Sequence, residues 1–160
     1  MADSILEILS KEGRCSAAEI ATRLGLEESE VAARIKEYED QHIVLGYRAL
    51  IDWEKADSSH IFAFIEVRAN PERGMGFDRL AEHIAGFEEV HSVHLISGTH
   101  DLNVVIQGQD FREVALFVAE KLAPLPQVVS TATSFVLKSY KLEGRLVIAE
   151  SEDRRLPVSP

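Results

Sequence analysis

Residues 97–101, with the sequence Ser-Gly-Thr-His-Asp, collect hydroxyl groups, an imidazole and a carboxylate beside a glycine. Apolar, β-branched runs flank them, over residues 90–96 and 102–107. This pattern predicts a β-hairpin whose strands are joined by a short polar loop. Because a loop glycine lets a ligand approach the backbone, we interpret this loop as the best candidate for a small-molecule site.

The hairpin lies in the middle of a predicted β-α-β-β-α-β order. Strands are predicted over residues 60–69 and 128–140, and amphipathic helices over residues 75–84 and 111–122. This order is typical of a ferredoxin-like unit, a four-stranded antiparallel sheet with two helices on one face. Helix-facing positions predicted from periodicity are Leu102, Val104, Ile106, Phe77, Leu80, Ala81, Ile84, Val114, Ala115, Phe117, Val118 and Leu122.

The other face of this sheet is predicted to pair with a second copy of the chain. Residues 61–65 are apolar at every position, so an open face would expose a large apolar patch to water. We expect this face to be led by residues 61–65 and completed by Val104, Ile106 and residues 133–137. The sequence therefore predicts a homodimer.

The first 52 residues predict a winged helix-turn-helix. Three helices are expected over residues 3–11, 16–24 and 27–41, with a capping box formed by Ser16 and Glu19. A strand-like stretch over residues 43–52 is interpreted as the wing, and a plain three-helix bundle is the alternative. In a helix-turn-helix the second helix of the pair enters the DNA major groove. The DNA-contacting residues predicted on that helix are Ser29, Glu30, Ala33, Arg34 and Lys36.

The chain is thus predicted to be an α+β protein with two domains. Residues 1–52 form the winged helix-turn-helix, residues 53–59 a linker and residues 60–141 the ferredoxin-like domain. Residues 142–160 are predicted to be a tail that starts with a strand over 145–149 and has a loose end. No apolar run approaches the length of a membrane helix and no export signal begins the chain, so cytoplasm and no membrane are expected.

Charge and cysteine content exclude several functions. The net charge is −10, and residues 1–52 carry 6 Lys and Arg against 11 Asp and Glu, so generic polyanion binding is not expected. The single Cys15 has no disulfide partner and no zinc-site spacing. His91 and His94 are three apart on a predicted strand, so they are expected on opposite faces and unable to chelate one metal. We expect no cofactor and no metal.

Motifs in both halves resemble the Lrp/AsnC family of feast-or-famine transcription regulators over nearly the whole chain. They are Ala18-Glu19-Ile20-Ala21, Leu24-Gly25-Leu26, Val31, Arg34-Ile35, Gly46-Tyr47, Gly98-x-x-Asp101, Leu125-Pro126-x-Val128 and the stretch T-S-F-V-L-K over residues 133–138. The resemblance implies a DNA-binding first domain and a second domain for effector binding and assembly. It also implies amino acids as effectors, and dimers that associate into octamers or similar rings.

The resemblance also implies how the loop binds an amino acid. Asp101 would accept hydrogen bonds from the ammonium group, and the backbone N–H groups of Gly98, Thr99 and His100 would bind the carboxylate. Hydroxyl groups would come from the last strand of the sheet, from Thr131, Thr133 or Ser134.

Three positions depart from the family pattern. Glu27 stands where a Ser or Thr cap is usual, Glu37 where a second basic residue is usual, and His42 where glycine is common. The third helix therefore has six acidic residues against two basic ones, and we predict weak DNA binding by an isolated dimer. One alternative is an amino-acid-sensing member of the family with weak or lost DNA binding. The other is an enzyme resembling siroheme decarboxylases, which would need His, Arg and Tyr side chains around a large pocket; we expect no enzyme.

Overall fold

The computed structural model describes residues 3–56 and 60–147. They form two compact units that divide between Ile51 and Asp52. Residues 53–56 of the predicted linker form a turn in the second unit, and residues 57–59 lie outside the described residues. So do residues 148–160, on which most of the predicted tail falls. Among the described residues no helix is long and apolar enough to cross a membrane.

The first unit contains the three predicted helices. They are α1 (Ser4–Lys11), α2 (Ala17–Leu24) and α3 (Glu28–Asp40). Each helix contributes side chains at helical spacing to one small core, because the apolar positions recur on one face. The buried members of that core are Ile5, Leu9, Ile20, Ala21 and Val31.

Helices α2 and α3 end in the same type of turn. After α2, Gly25 adopts a left-handed φ of 67° and the Leu26 N–H donates to the Ala21 carbonyl over 3.0 Å. After α3, His42 occupies the equivalent left-handed position with a φ of 57°, and the Ile43 N–H donates to the Tyr38 carbonyl over 2.8 Å. Glycine adopts this conformation without steric cost, whereas histidine does not. His42 thus adopts a left-handed conformation at the position where the family pattern has glycine.

The predicted wing strand is wrong for the described chain. Residues 43–52 run without strand pairing, and Leu45 is 91% exposed. A strand is defined by hydrogen bonds to a neighbouring strand, and these residues have no such neighbour among the residues described. The apolar pattern of these residues does not specify a pairing partner.

The second unit has the predicted β-α-β-β-α-β order. Its elements are β1 (Ile61–Ala69), α4 (Asp78–Ala85), β2 (Val90–Leu95), β3 (Leu102–Gly108), α5 (Phe111–Leu116) and β4 (Val128–Phe135). The four strands form one antiparallel sheet in the order β2-β3-β1-β4. Two further short strands, β5 (Lys141–Leu142) and β6 (Arg145–Leu146), pair with each other in a separate two-stranded sheet.

The two faces of the sheet are separated by the two-residue period of the strands. Ala63, Ile65 and Val67 are fully buried with the helices, and Val104 and Ile106 share that face. The prediction that Val104 and Ile106 help to form the open face is therefore wrong. Strand β3 contributes its alternate residues to the open face, since these pair with the outward positions of β1. The open face of β1 and β3 carries Phe62, Phe64, Glu66, Arg68, Asn103, Val105 and Gln107.

The second amphipathic helix widens after its first turns. It continues from α5 into a π-helical segment, Phe117–Leu122. The buried residues are Val114, Phe117 and Leu122, so the last interval is five residues. A π-helix brings residues five apart onto one face, whereas an α-helix would have directed the polar Lys121 towards the sheet. Ala115, predicted to face the sheet, is exposed.

Three predicted boundaries differ from the structure. Helix α4 begins at Asp78 and not at residue 75, because residues 72–76 form a tight turn closed by the Gly76 N–H donating to the Glu72 carbonyl over 2.9 Å. Strand β4 ends at Phe135 and not at residue 140, and its last paired residue lies opposite Ala63 of β1. The strand predicted over residues 145–149 is limited in the described part to residues 145–146.

Candidate functional site

The loop between β2 and β3 is attached to the end of β1 through Asp101. The Asp101 N–H donates to the Val67 carbonyl over 2.9 Å, and Asp101 Oδ2 accepts from the Ala69 N–H over 2.8 Å. The Asp101 carbonyl also accepts from the Ile96 N–H over 2.9 Å, which closes the loop. The second carboxylate oxygen, Oδ1, has no hydrogen-bond donor within residues 3–56 and 60–147. The Asp101 carboxylate is therefore fixed in position, and one of its two oxygens is left to accept a hydrogen bond from a ligand.

The loop also presents unused donors. The backbone N–H groups of Gly98, Thr99 and His100 make no hydrogen bond to the described residues. The side chain of His100 lies against the sheet, with Nδ1 3.2 Å from Thr99 Oγ1 and 3.8 Å from Glu66 Oε2. Within four residues the loop therefore holds three backbone donors and an anchored carboxylate oxygen. Such a set complements a small molecule that carries both an anionic and a cationic group.

The predicted hydroxyls of β4 are separated from this loop within one chain. Thr131 pairs with Val67, so it lies at the same end of the sheet as the loop, but β1 stands between β4 and β3. Two strand spacings amount to roughly 10 Å. Thr133 pairs with Ile65 and shares the helix-covered side, whereas Ser134 pairs with Phe64 and belongs to the open side. The three hydroxyls therefore do not converge on one point.

The histidines of β2 depart from the expected geometry. A β-bulge between Val90 and Ser92 adds a residue and reverses the alternation. His91 then meets the ring of Phe62 on the open face, and His94 pairs with Asn103 on the same face. The prediction that His91 and His94 point to opposite faces is wrong for this reason.

A cavity of about 280 Å³ lies at the other end of the sheet. Its walls include His60, His91 and the carboxylates of Glu88, Glu89 and Glu113, and they contain no Arg or Tyr among the described residues. The described residues also contain no group of three side chains placed to hold a metal ion. The convergence of His, Arg and Tyr that a decarboxylase-like enzyme would need is not present at this cavity.

Glu89 lines this cavity, and the pKa of its carboxyl group departs from the usual value. Its hydrogen bond to Lys121 lowers the pKa of the Glu89 carboxyl below its usual value, although partial burial opposes the effect. The other oxygen, Oε2, is buried and has no partner in the described structure. The Glu89–Lys121 pair ties β2 to the π-helical segment.

The outward face of α3 lies opposite the buried Val31. At 3.6 residues per turn, Ser29, Ala33 and Lys36 occupy that face, and all three are exposed. The N-terminal residue Glu27 makes no side-chain cap, as its departure from Ser or Thr predicts. Of the residues predicted to contact DNA, this face therefore carries two with short side chains, Ser29 and Ala33, and one with a basic side chain, Lys36.

Arg34 and Glu30 lie instead on the flank of α3 next to the start of α1. Arg34 forms ion pairs with Asp3 over 3.3 Å and with Glu30 over 3.5 Å. The Tyr38 hydroxyl donates to the same Asp3 carboxylate over 2.7 Å, and Asp3 also accepts from the Ile5 N–H that it caps. These hydrogen bonds, led by that of Tyr38, lower the pKa of the Asp3 carboxyl. The pairing of Asp3 with Arg34 was not predicted from the sequence.

Two protein-family models match this chain, and each match lies within one of the two units. The model described as the Lrp/AsnC ligand binding domain matches residues 62–146, and the model described as winged helix-turn-helix DNA-binding matches residues 4–44. The chain belongs to the Lrp/AsnC family of transcriptional regulators. The loop at residues 97–101 of this Lrp/AsnC protein lies inside the ligand-binding match, and α3 lies inside the DNA-binding match.

Individual relatives agree with this assignment. The HTH-type transcriptional regulator YugG of Bacillus subtilis is 44% identical over 157 residues, 98% of this chain and 95% of the relative. The proline dehydrogenase transcriptional activator of Rhizobium radiobacter is 32% identical over 140 residues, 88% of this chain and 89% of the relative. A transcriptional regulator of Neisseria meningitidis, solved as a complex with L-Met, is 28% identical with a TM-score of 0.70, over 91% of this chain and 96% of that chain.

Proposed function

We propose that this Lrp/AsnC protein is an amino-acid-responsive regulator that binds promoter DNA as a homodimer or a larger assembly. The observation that supports it most directly is the loop at residues 98–101, where three unused backbone donors lie beside an anchored, half-used carboxylate. An α-amino acid carries the complementary ammonium and carboxylate groups on one carbon atom. The relative from Neisseria meningitidis was solved with L-Met, so L-Met is the first amino acid to test.

In this proposal the ammonium group binds Oδ1 of Asp101, and the carboxylate binds the N–H groups of Gly98, Thr99 and His100. Asp101 is suited to its role because its link to Ala69 fixes the direction of Oδ1 before the ligand arrives, which reduces the entropy lost on binding. The hydroxyls of Thr131, Thr133 and Ser134 are separated from the loop by β1, so in this proposal one of them reaches the bound ligand from a neighbouring copy.

The assembly is proposed to form through the open face of the sheet. Phe64 is 44% exposed at the centre of this face. Val105 of β3 pairs with Phe64, and Ala132 of β4 pairs with Glu66, the next outward residue of β1. Pairing two copies would remove this apolar surface from water. Dimers that associate further, to an octamer or a similar ring, would bring several copies of α3 to one stretch of DNA.

DNA binding is proposed to use the outward face of α3, with Ser29, Ala33 and Lys36 towards the bases. Residues 1–52, with 6 basic and 11 acidic residues, gain little from general phosphate attraction. Useful affinity is therefore expected only when several copies engage a long site together. A regulator of this kind acts on the chromosome, which agrees with a cytoplasmic location in a bacterial cell.

The experiment is fluorescence anisotropy on the DNA upstream of the protein's own gene, with and without each of the twenty amino acids. We expect binding to a long fragment, weaker binding to a single half-site, and a change in affinity caused by at least one amino acid. Nanomolar binding of a dimer to one half-site at physiological salt would contradict the charge argument. Amino-acid binding without binding to any duplex would identify a sensor and not a regulator that contacts DNA itself.

A further inference from the structure

A groove of about 360 Å³ runs along the flank of α3 that faces away from Asp3. The groove is lined by the turn between α1 and α2, by α3 and by Tyr47. The Tyr47 hydroxyl donates to Glu39 Oε1 over 3.0 Å, which engages the carboxylate in the groove. Apolar side chains of α1, α2 and α3 also line it, and so do two cations, Arg14 from the turn and Lys36 from α3.

These two cations differ from the other basic residues of the first unit. Arg23 is paired with Glu12 over 2.9 Å, and Arg34 is paired with Asp3 and Glu30. The remaining two basic side chains, Lys11 and Arg48, also have interactions within the chain. In the part of the chain that the structure describes, Arg14 and Lys36 take part in no ion pair and no hydrogen bond.

We propose that Arg14 and Lys36 together hold a backbone phosphate of DNA in this groove. This inference rests on the proposed DNA binding and names the contact that fixes the helix on the duplex. Charge-assisted hydrogen bonds from guanidinium and ammonium groups are the strongest contacts available to a phosphate oxygen. Arg14 and Lys36 give up no ion pair to make them, whereas Arg34 would have to leave Asp3.

The position of the groove agrees with this role. Lys36 belongs both to the outward face of α3 and to the groove, so a phosphate held there lies beside the face that meets the bases. Contacts to phosphate set the orientation of a recognition helix, and contacts to bases set its specificity. Glu39 is the carboxylate in the groove, and its hydrogen bond from Tyr47 engages one of its oxygens. Sequence reasoning selected Lys36 but had no signal for Arg14, which lies 22 positions earlier in the chain.

The first test measures the salt dependence of DNA binding by the full-length protein. The logarithm of the affinity falls with the logarithm of the salt concentration, with a slope of about −0.9 for each phosphate contact. We expect Arg14→Ala and Lys36→Ala each to make that slope shallower, and the variant that carries both substitutions to make it shallower by about 0.9 for each copy bound to DNA. Arg14→Lys should retain most of the slope, since it keeps the charge.

Arg23→Ala is the matched control, because it removes the same charge from an exposed position on α2 where the arginine is already paired. Its slope should equal that of the wild type. Wild-type protein that binds no duplex would overturn the proposed function itself. Wild-type protein that binds DNA, together with unchanged slopes in Arg14→Ala and Lys36→Ala, would overturn only the phosphate contact.

The second test uses Cys15, which lines the same groove and is the single cysteine of the chain. Burial raises the pKa of the Cys15 thiol, so alkylation with neutral iodoacetamide is followed in alkaline buffer. Bound DNA should slow the reaction in wild type and in Arg23→Ala, and slow it less in Arg14→Ala at equal occupancy of DNA. An alkylation rate that saturating DNA leaves unchanged would exclude a phosphate from the groove.

Discussion

Replacing Asp101 by Asn tests the effector loop with little disturbance of the fold. The Asn side chain keeps one oxygen that can accept from the Ala69 N–H, so the link between the loop and β1 survives. Its amide NH2 group then occupies the place of Oδ1 and presents donors to the ammonium group of the ligand. The substitution therefore removes the proposed ligand contact and preserves the structural one.

The expected loss follows from the type of bond removed. A hydrogen bond to a charged group contributes about 1.5 to 3 kcal/mol, which corresponds to an affinity lower by about 10- to 150-fold. The upper part of this range is expected, because the Asn amide repels the ammonium in addition to losing the charge. Asp101→Ala should lose the same ligand contact and also destabilise the loop, because the Ala69 N–H loses its partner.

Isothermal titration calorimetry with L-Met measures this loss, and the other amino acids follow if L-Met gives no heat. Asp110→Asn is the matched control, since Asp110 also accepts from a backbone N–H, that of Glu113 over 2.8 Å, at the start of α5. Equal affinities in wild type and Asp101→Asn would remove Asp101 from the site. A comparable loss in Asp110→Asn would show that the effect is a general consequence of removing charge from this unit.

Three further predictions concern assembly, stability and pH. Phe64→Asp should convert the assembly to monomers in light scattering, whereas Phe111→Asp, at an exposed Phe of α5, should not; a monomeric wild type would refute the interface. His42→Gly should stabilise the first unit by about 0.5 to 1 kcal/mol, since it relieves a left-handed residue but adds unfolded-state entropy. Hydrogen exchange of α3 should slow by about two- to fivefold, and Gly25→Ala, whose new Cβ would meet nothing within 4 Å, should accelerate exchange of α2. Because folding lowers the pKa of Glu89, its stabilisation is present above the unfolded value near 4.5 and is lost as pH falls through the lower folded pKa. Acid unfolding should therefore depend less on pH in Glu89→Gln, and an identical dependence would contradict the pairing.

Local patterns predicted the parts of the fold that local physics determines. The capping box at Ser16, the glycine end of α2 and the alternation in β3 all depend on residues within a few positions, and each is present in the structure. The chain order of the second unit then limited the topology to one common arrangement. The loop that contains residues 98–101 was predictable because a turn must join the two predicted strands.

Features that depend on distant partners were not predictable in this way. The pairing of Arg34 with Asp3 joins residues 31 positions apart, and it diverts a side chain that the pattern assigned to DNA. The β-bulge beside His91 changes which face the following residues occupy, although no residue type announces it. The expected strand at residues 43–52 needs a pairing partner that the apolar pattern does not specify.

The π-helical segment makes one place in the chain tolerant of a change in length. Phe117 and Leu122 are both buried and lie five residues apart, a spacing that a π-helix brings onto one face. In an α-helix, residues that share a face are four apart. Deleting one exposed residue between them, such as Ala119, would convert the segment to an α-helix and keep both side chains in the core. The same deletion in α4 would turn every later apolar residue away from the sheet. Loss of a single codon should therefore be accepted at this helix far more readily than in α4.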